Sequence, residues 1–392
     1  MDIGIGRMMT LIYLDHAATT PVHPEVMDAM HAFDKEHFGN PSSVHKIGRK
    51  AKFYLNEARR DLAKSIKADE NDIIFTSGGT EANNLALIGS ALENEYNGNH
   101  IITTQQEHRA NISVMEFLQK KGFHVTYLPV NQEGQINVYD LERSLTEYTI
   151  LVSVMTANNE TGVIQPIKEI GELLKDHQAI FHTDAVQAYS MMDIDVDELQ
   201  VDLLTTSAHK LNGPKGIGFL YKRSHVLLQQ LQYGGFQENV MRPGTENLTS
   251  VIGFQKAVNL AQKNKQKNYT TYEGYKRLFV QTLQDEEVEF TINGNIDNAI
   301  PTIINLSFPS TETDVLLTNF DLAGIAASGG SACSSGTLEP SHVLKAIYSF
   351  RDDRIKNAVR FSFGTANTEE DIVTAAKKIA EVVHRLTNNE GR

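Results

Sequence analysis

Apolar and polar positions along the chain fall into two alternating periods. Residues 72–76, 100–103, 124–129, 150–155, 179–183, 201–205 and 218–221 are short apolar runs rich in β-branched residues and read as strands. Between most of them, residues 81–96, 111–121, 138–145 and 167–177 carry helical periodicity. Such alternation predicts an α/β fold, a mainly parallel sheet covered by helices on both faces. Sheets of this kind gather their functional groups at the carboxyl ends of the strands.

The flanks follow a different rhythm. Residues 12–21 read as a short strand running into a small-residue turn, and 24–36 as a helix. Phe38-Gly39-Asn40-Pro41-Ser42-Ser43 breaks that helix. Residues 45–66 resume the period, with Leu55, Ala58, Leu62 and Ile66 on one face. A long helical region spans 249–287, where Lys263, Lys265 and Lys267 read as a solvated face. Beyond it, strands at 303–308, in the 319–326 region and at 360–363 alternate with helices near 312–320, 340–347 and 368–386, which predicts a smaller α+β unit. There is no internal repeat and no low-complexity linker.

Composition narrows the function classes. A chain of 392 residues, 41% hydrophobic and 22% charged, is ordinary for a soluble protein of two domains or one large domain with an appendage. Its formal charge of −13 argues against gripping a nucleic-acid backbone directly, though not against a partner that carries nucleic acid. No run has the length of a membrane span, and the N-terminus lacks the apolar core of a signal peptide, so the cytoplasm is the expected compartment. Residues 1–10 read as a short extension. Cys333 is the single cysteine, which excludes an intrachain disulfide and a multi-cysteine metal site. No histidine or carboxylate spacing suggests a metal.

The richest stretch is Thr205-Thr206-Ser207-Ala208-His209-Lys210-Leu211-Asn212-Gly213-Pro214-Lys215-Gly216-Ile217-Gly218. A buried strand ends in small polar residues that deliver Lys210, and glycine turns lead into the next strand. A lysine held between hydroxyls, a histidine and tight turns is a candidate anchor for an aldehyde, because desolvation frees its amine. Alone, the stretch also fits an ordinary solvated loop lysine.

Other polar groups fall at the ends of expected strands. Ser77-Gly78-Gly79-Thr80-Glu81 is a glycine turn opening a helix, suited to a phosphate or simply to N-capping by Thr80. Asn158-Asn159-Glu160 follows the run at 150–155, Asp184 and Gln187 follow that at 179–183, and Glu107-His108 follow that at 100–103. Asx turns, a cap and a surface imidazole would explain each singly. Together, a lysine, a carboxylate and a helix N-terminus at one sheet edge are what pyridoxal 5'-phosphate requires.

With these segments in place the chain resembles the fold-type I pyridoxal phosphate enzymes of the class V aminotransferase group, and among them the NifS/IscS-type cysteine desulfurases. The resemblance runs from Tyr13 to about Glu370 and includes Gly39-Asn40-Pro41-Ser42-Ser43, Ser207–Lys210, the segments 242–247 and 331–340, and 360–364. It implies a large cofactor domain over 23–264 and a small C-terminal domain over 265–392, on which segment 1–22 packs. It implies that Lys210 anchors the cofactor and shuttles a proton, that Asp184 faces the pyridine nitrogen, and that His108 stacks on the ring and acts as acid or base. Asn159 and Gln187 would sit near the ring. Gly79, Thr80, Ser207 and His209 would bind the phosphate, with Thr245 reaching it across a homodimer. Arg360 would grip the α-carboxylate of L-cysteine, as a guanidinium fork can and a lysine cannot, with Asn159 beside it.

Cys333 lies in Ser328-Gly329-Gly330-Ser331-Ala332-Cys333-Ser334-Ser335-Gly336, glycines and serines with none of the apolar spacing of a core. The resemblance makes it the nucleophile that takes the substrate's sulfur as a persulfide. Its surroundings match the longer-loop branch of the family. Phe236 and Ala208 depart from common family glycines, and the chain ends at Arg392 without the longer tail of many members. The implied function is cysteine desulfurase, with sulfur passed to an iron–sulfur scaffold or a tRNA-thiolating enzyme. A selenocysteine lyase or an aminotransferase on the same fold is the alternative, although a transaminase has no need of Cys333.

Overall fold

A computed structural model of the chain describes residues 11–189, 191–329, 340–348 and 351–388. In chain order the elements are β1 (Ile12–Tyr13), α1 (Pro24–Glu36), α2 (Lys46–Lys64), β2 (Ile73–Thr76), α3 (Gly79–Glu93), β3 (His100–Thr104), α4 (Arg109–Lys120), β4 (His124–Leu128), α5 (Val138–Ser144), β5 (Thr149–Ser153), α6 (Ile167–Leu174), β6 (Ile180–Asp184), β7 (Leu203–Ser207) and β8 (Gly218–Lys222). They are followed by α7 (Leu248–Asp285), β9 (Thr291–Ile292), β10 (Ile303–Ser307), α8 (Thr313–Leu322), β11 (Ile325–Ala326), α9 (His342–Ile347), β12 (Ala358–Ser362) and α10 (Glu369–Asn388).

The large sheet has seven strands in the order β2-β8-β7-β6-β5-β3-β4. The pairs β4–β3, β3–β5, β5–β6 and β6–β7 are parallel, whereas β8 runs antiparallel to both of its neighbours. The sheet is thus mixed at one side, and the reason lies in the connection. Only residues 208–217 separate β7 from β8, fewer than the dozen or so that a parallel crossover needs. The segment holding Lys210 is therefore the turn of an antiparallel pair and is fixed at both ends.

Apolar side chains cover both faces. On one, α1, α2, α6 and α7 bury Phe75, Phe181 and Phe219 against Leu55, Leu62, Ile170 and Phe254. On the other, α3 and α4 bury Leu87, Ile101, Met115 and Leu151, and Leu85 packs with Leu203 and Leu220. Phe181 and Phe219 are fully buried, and truncating either to alanine costs about 3–5 kcal/mol in a core of this kind.

A three-stranded antiparallel sheet, β12-β10-β9, forms a second layer. Its core gathers Phe308, Phe320, Phe361 and Phe363 with Phe279 of α7 and Ile372 of α10. One helix serves both cores: Val251, Phe254 and Val258 of α7 pack beneath the large sheet, and Tyr272, Phe279 and Leu283 pack in the small one. The 264/265 boundary expected between the domains falls inside this helix.

The N-terminal segment also reaches the small unit. β1 pairs in parallel with β11, and Asp15 bridges Ser362. In the 319–326 region, residues up to Leu322 continue α8 and only Ile325–Ala326 is strand, while the two-residue β9 is too short to show a period. Lys265 is not simply solvated, since it pairs with Asp193 at 2.5 Å. Lys267 is exposed at a cavity of about 230 Å³ that it shares with His16 and Lys210. Among the described residues no helix is long and apolar enough to cross a membrane.

Candidate active site

The carboxyl ends of β3, β5, β6 and β7 bring the expected polar groups to one edge. At β7, Ser207 pairs with Gly218 of β8, and a single 3₁₀ turn, Ala208–Lys210, carries the lysine out of the strand. Its Nζ donates to the carbonyls of Ala17 at 2.5 Å and Ala18 at 2.8 Å. Burial, helped by the nearby Arg360 charge, lowers the ammonium pKa from 10.5 to about 8. Asp15 and Asp184 pull the other way without cancelling the effect. About a tenth of Lys210 is thus a free amine at pH 7, far more than for an ordinary lysine.

Helix α3 begins beside this turn. Its N-cap position falls on Gly78, with φ of 148° and no side chain to cap with, so the Thr80 hydroxyl is not spent on capping. A Cβ on Gly79 would stand 3.0 Å from Val186, and one on Gly218 would stand 2.9 Å from the Gly78 backbone. Backbone passes too close to Gly218 for any side chain there, and a side chain at Gly79 would press on Val186. In front lies a cleft of about 420 Å³, with Gly79, Thr80, Ser207, His209 and Lys215 among its lining residues. The α3 amides and dipole favour an anion in it. His209, hydrogen-bonded to Thr19 Oγ1 at 3.2 Å, is driven to a pKa of about 4 by burial and by its lysine neighbours, so it meets an anion as a neutral ring.

Asp184 ends β6 and is almost wholly buried. Its Oδ2 accepts from Asn83 Nδ2 at 2.7 Å and its Oδ1 from the Val186 amide at 3.0 Å. Behind it, His182 lies between Ser153 Oγ at 2.9 Å and Thr205 Oγ1 at 3.1 Å, and burial drops its pKa to about 3. This imidazole is a neutral structural group.

His108 caps α4. Its Nδ1 accepts from the Ala110 amide at 3.1 Å, an assignment that leaves the neutral ring's proton on Nε2. Desolvation lowers its pKa, Asp184 opposes the shift, and the charges of Lys210 and His342 add to it. The residue before it, Glu107, is fully buried and accepts from Thr104 Oγ1, Met155 N and Asn111 Nδ2 at 2.9, 2.9 and 3.0 Å. Its backbone carbonyl accepts from His342 Nε2 at 2.8 Å.

Arg360 faces the site from β12 and is 4% exposed. Its Nη1 donates to the Asn159 carbonyl at 2.9 Å and its Nη2 to Asp15 Oδ1 at 2.8 Å, while Nε is buried without a partner among the described residues. Asn159 Oδ1 is likewise buried and unpartnered. Gln187 Nε2 donates to the Ala17 carbonyl at 3.1 Å, the same oxygen that holds Lys210.

Lys210 thus lies within electrostatic range of Asp184, His108 and Arg360 and shares the Ala17 carbonyl with Gln187, Asn159 holds Arg360, and Gly79, Thr80, Ser207 and His209 line the neighbouring cleft. Thr245 does not join them: it is exposed and is not among the residues lining the α3 cleft. Cys333 lies outside the described residues. Sequence reasoning missed Asn83 as the donor to Asp184, Asp15 as the partner of Arg360, and the contact of Ser341 with the buried Glu160. Asp15 had one available signal, its place before the small-residue turn at 17–20.

The family model Aminotransferase class-V matches residues 12–374. The chain is 48% identical to the putative cysteine desulfurase IscS 1 of Bacillus subtilis (strain 168), over 97% of this chain and 100% of that one. Among solved structures, a NifS-like protein superposes with a TM-score of 0.89 at 34% identity, covering 96% of this chain and 100% of the other. A structure described as SspA in complex with cysteine gives a TM-score of 0.77 at 34% identity, covering 90% and 98%.

Proposed function

The chain belongs to the class-V aminotransferase family and, within it, to the cysteine desulfurases, and from that premise we propose how its residues divide the work. It is an enzyme that takes sulfur from L-cysteine and leaves L-alanine. The cofactor we assign is pyridoxal 5'-phosphate. Its fit rests on four features: a glycine-shaped cleft at the α3 N-terminus, the lowered Lys210 amine, the Asp184 carboxylate at the strand edge, and the unpartnered Asn159 Oδ1. When bound, the cofactor supplies an electron-withdrawing ring that draws charge from the carbon bearing the substrate amine.

The chain's own residues do the rest. Lys210 would hold the cofactor aldehyde through its free amine and, when released from it, would take and return the proton at the substrate's α-carbon. Asp184, held by Asn83 and the Val186 amide, would meet the cofactor's pyridine nitrogen and would keep a proton on it. Gly79, Thr80, Ser207 and His209 would hold the phosphate, and His108 would pack against the ring and could exchange a proton with substrate through Nε2. Gln187 and Asn159 flank the ring, and Arg360 takes the substrate α-carboxylate through its remaining N–H groups. The Cys333 thiolate attacks the substrate sulfur, the carbon–sulfur bond breaks, and the sulfur stays on Cys333 as a persulfide. The released carbon takes a proton to become alanine. Thr245, exposed in the protomer, completes the phosphate site of the opposite protomer in a homodimer. The persulfide passes to a protein acceptor, an iron–sulfur scaffold or a tRNA-thiolating enzyme, in the cytoplasm.

The observation that carries this reading is the Lys210 amine, with a pKa of about 8, beside Asp184 and the α3 cleft. Cys333→Ser tests it. The variant should stay yellow with cofactor and release no sulfide from L-cysteine in the presence of a reductant. Full sulfide release by the variant would overturn the persulfide step.

A further inference from the structure

The guanidinium proposed to receive the substrate carboxylate already holds a carboxylate of its own chain. Arg360 Nη2 donates to Asp15 Oδ1 at 2.8 Å, and the two side chains are 5% and 20% exposed. This is no loose surface pair. Asp15 bridges Ser362, two residues beyond Arg360 on β12, the Leu14 amide donates to the Ala326 carbonyl at 2.8 Å, and the Ala17 amide donates to Ser362 Oγ at 2.8 Å. Backbone hydrogen bonds on both sides therefore fix where the Asp15 carboxylate sits.

The same short segment governs Lys210, whose Nζ rests on the carbonyls of Ala17 and Ala18. Lys210 feels Asp15 and Arg360 with opposite sign, so all three charges lie within range of one another. A guanidinium has five N–H groups. Asp15 and Asn159 each take one from Arg360, and Nε has no partner among the described residues. An incoming carboxylate can use the rest, but it must share one cation with Asp15.

We propose that Asp15 is a positioning residue and counter-charge for the carboxylate site: it orients Arg360 and weakens that residue's hold on the α-carboxylate common to L-cysteine and L-alanine. This rests on the reading that Arg360 binds that carboxylate. The physical need is clear. Substrate and product present the same carboxylate, so a buried arginine with no counter-charge would hold both tightly. Uniform tight binding lowers KM without speeding turnover and delays release of alanine. Asp15 sets the grip between capture and release.

The test uses the cofactor-loaded enzyme, with L-alanine binding measured by calorimetry and turnover measured on L-cysteine. Asp15→Asn keeps the side-chain oxygen that accepts from Arg360 and removes only the charge. It should bind L-alanine on the order of 10-fold more tightly and lower KM for L-cysteine in parallel, with kcat reduced as alanine leaves more slowly. Ethylamine, which has no carboxylate, should bind both forms equally, and Asp15→Glu should return alanine affinity toward wild type. Asp15→Ser serves as the neutral variant if the asparagine form does not accumulate. Arg360→Gln separates the two layers. If it weakens alanine binding while neutral Asp15 variants leave that binding unchanged or weaker, the counter-charge role is wrong and the Arg360 reading stands. If Arg360→Gln leaves alanine binding untouched, the Arg360 reading fails and the Asp15 role fails with it.

Discussion

Asn83 Nδ2 donates to Asp184 Oδ2 at 2.7 Å, with both residues buried. Asn83 belongs to α3, the helix whose N-terminus opens onto the anion cleft. One rigid element therefore fixes both the cleft and the carboxylate proposed to meet the pyridine nitrogen. The Asn83 carbonyl oxygen has no partner of its own, so the side chain's polar contribution is directed to Asp184.

Asn83→Leu should leave the fold intact and loosen the cofactor. Removing a hydrogen bond to a charged, buried group costs about 1.5–3 kcal/mol, which converts to roughly 10- to 100-fold in affinity. Dialysis followed by absorbance titration with pyridoxal phosphate measures this directly. Wild-type affinity in a variant with an unchanged circular dichroism spectrum would show that Asp184 needs no such support.

Loading of the apoenzyme should follow the Lys210 amine. With its pKa lowered to about 8, the reactive free base is a minority at pH 7 and a majority above about pH 8.5. The rate of cofactor attachment, read by stopped-flow absorbance, should rise about 10-fold from pH 7 to pH 9 and then level off. A rate that keeps climbing tenfold per pH unit beyond pH 9 would mean an ordinary lysine.

Burial, with Asp184 adding repulsion, pushes the Glu107 carboxyl from 4.5 up to about 7. The folded protein keeps a proton that the unfolded chain gives up near 4.5. This group's stabilising contribution is therefore complete below about pH 4.5 and is lost as pH rises through about 7. Glu107→Gln should flatten the decline in Tm across about pH 4.5–7. The substitution is sterically mild, and the unpartnered Asn111 Oδ1 can turn to accept from the new amide. Parallel Tm profiles for the two proteins would refute the assignment.

The strands of the large sheet were legible because buried parallel strands are written as continuous β-branched runs. Lys210, Asp184 and the glycines at 78–79 were legible because each follows such a run directly. The reversal of β8 was also open to reading, from the short link after β7. Asp15 and Arg360 are 345 residues apart, and Asn83 and Asp184 are 101 apart. Those pairings depend on how strands and helices stack, and no local period encodes them. Lys265 reads as solvated because helical spacing reports the face a residue occupies, not the carboxylate of Asp193 that a distant loop brings to that face.

Helix α7, 38 residues long, is anchored at one end under the large sheet and at the other in the small core. It therefore acts as a phase-setting rod. Each residue added to its middle would advance one core by about 1.5 Å and rotate it by roughly 100° against the other. Lys210 hangs from the large sheet and Arg360 from the small one, so a single-residue insertion or deletion there would turn the amine and the guanidinium away from each other. The spacing of two groups 150 residues apart in the chain is held by the integer length of one helix.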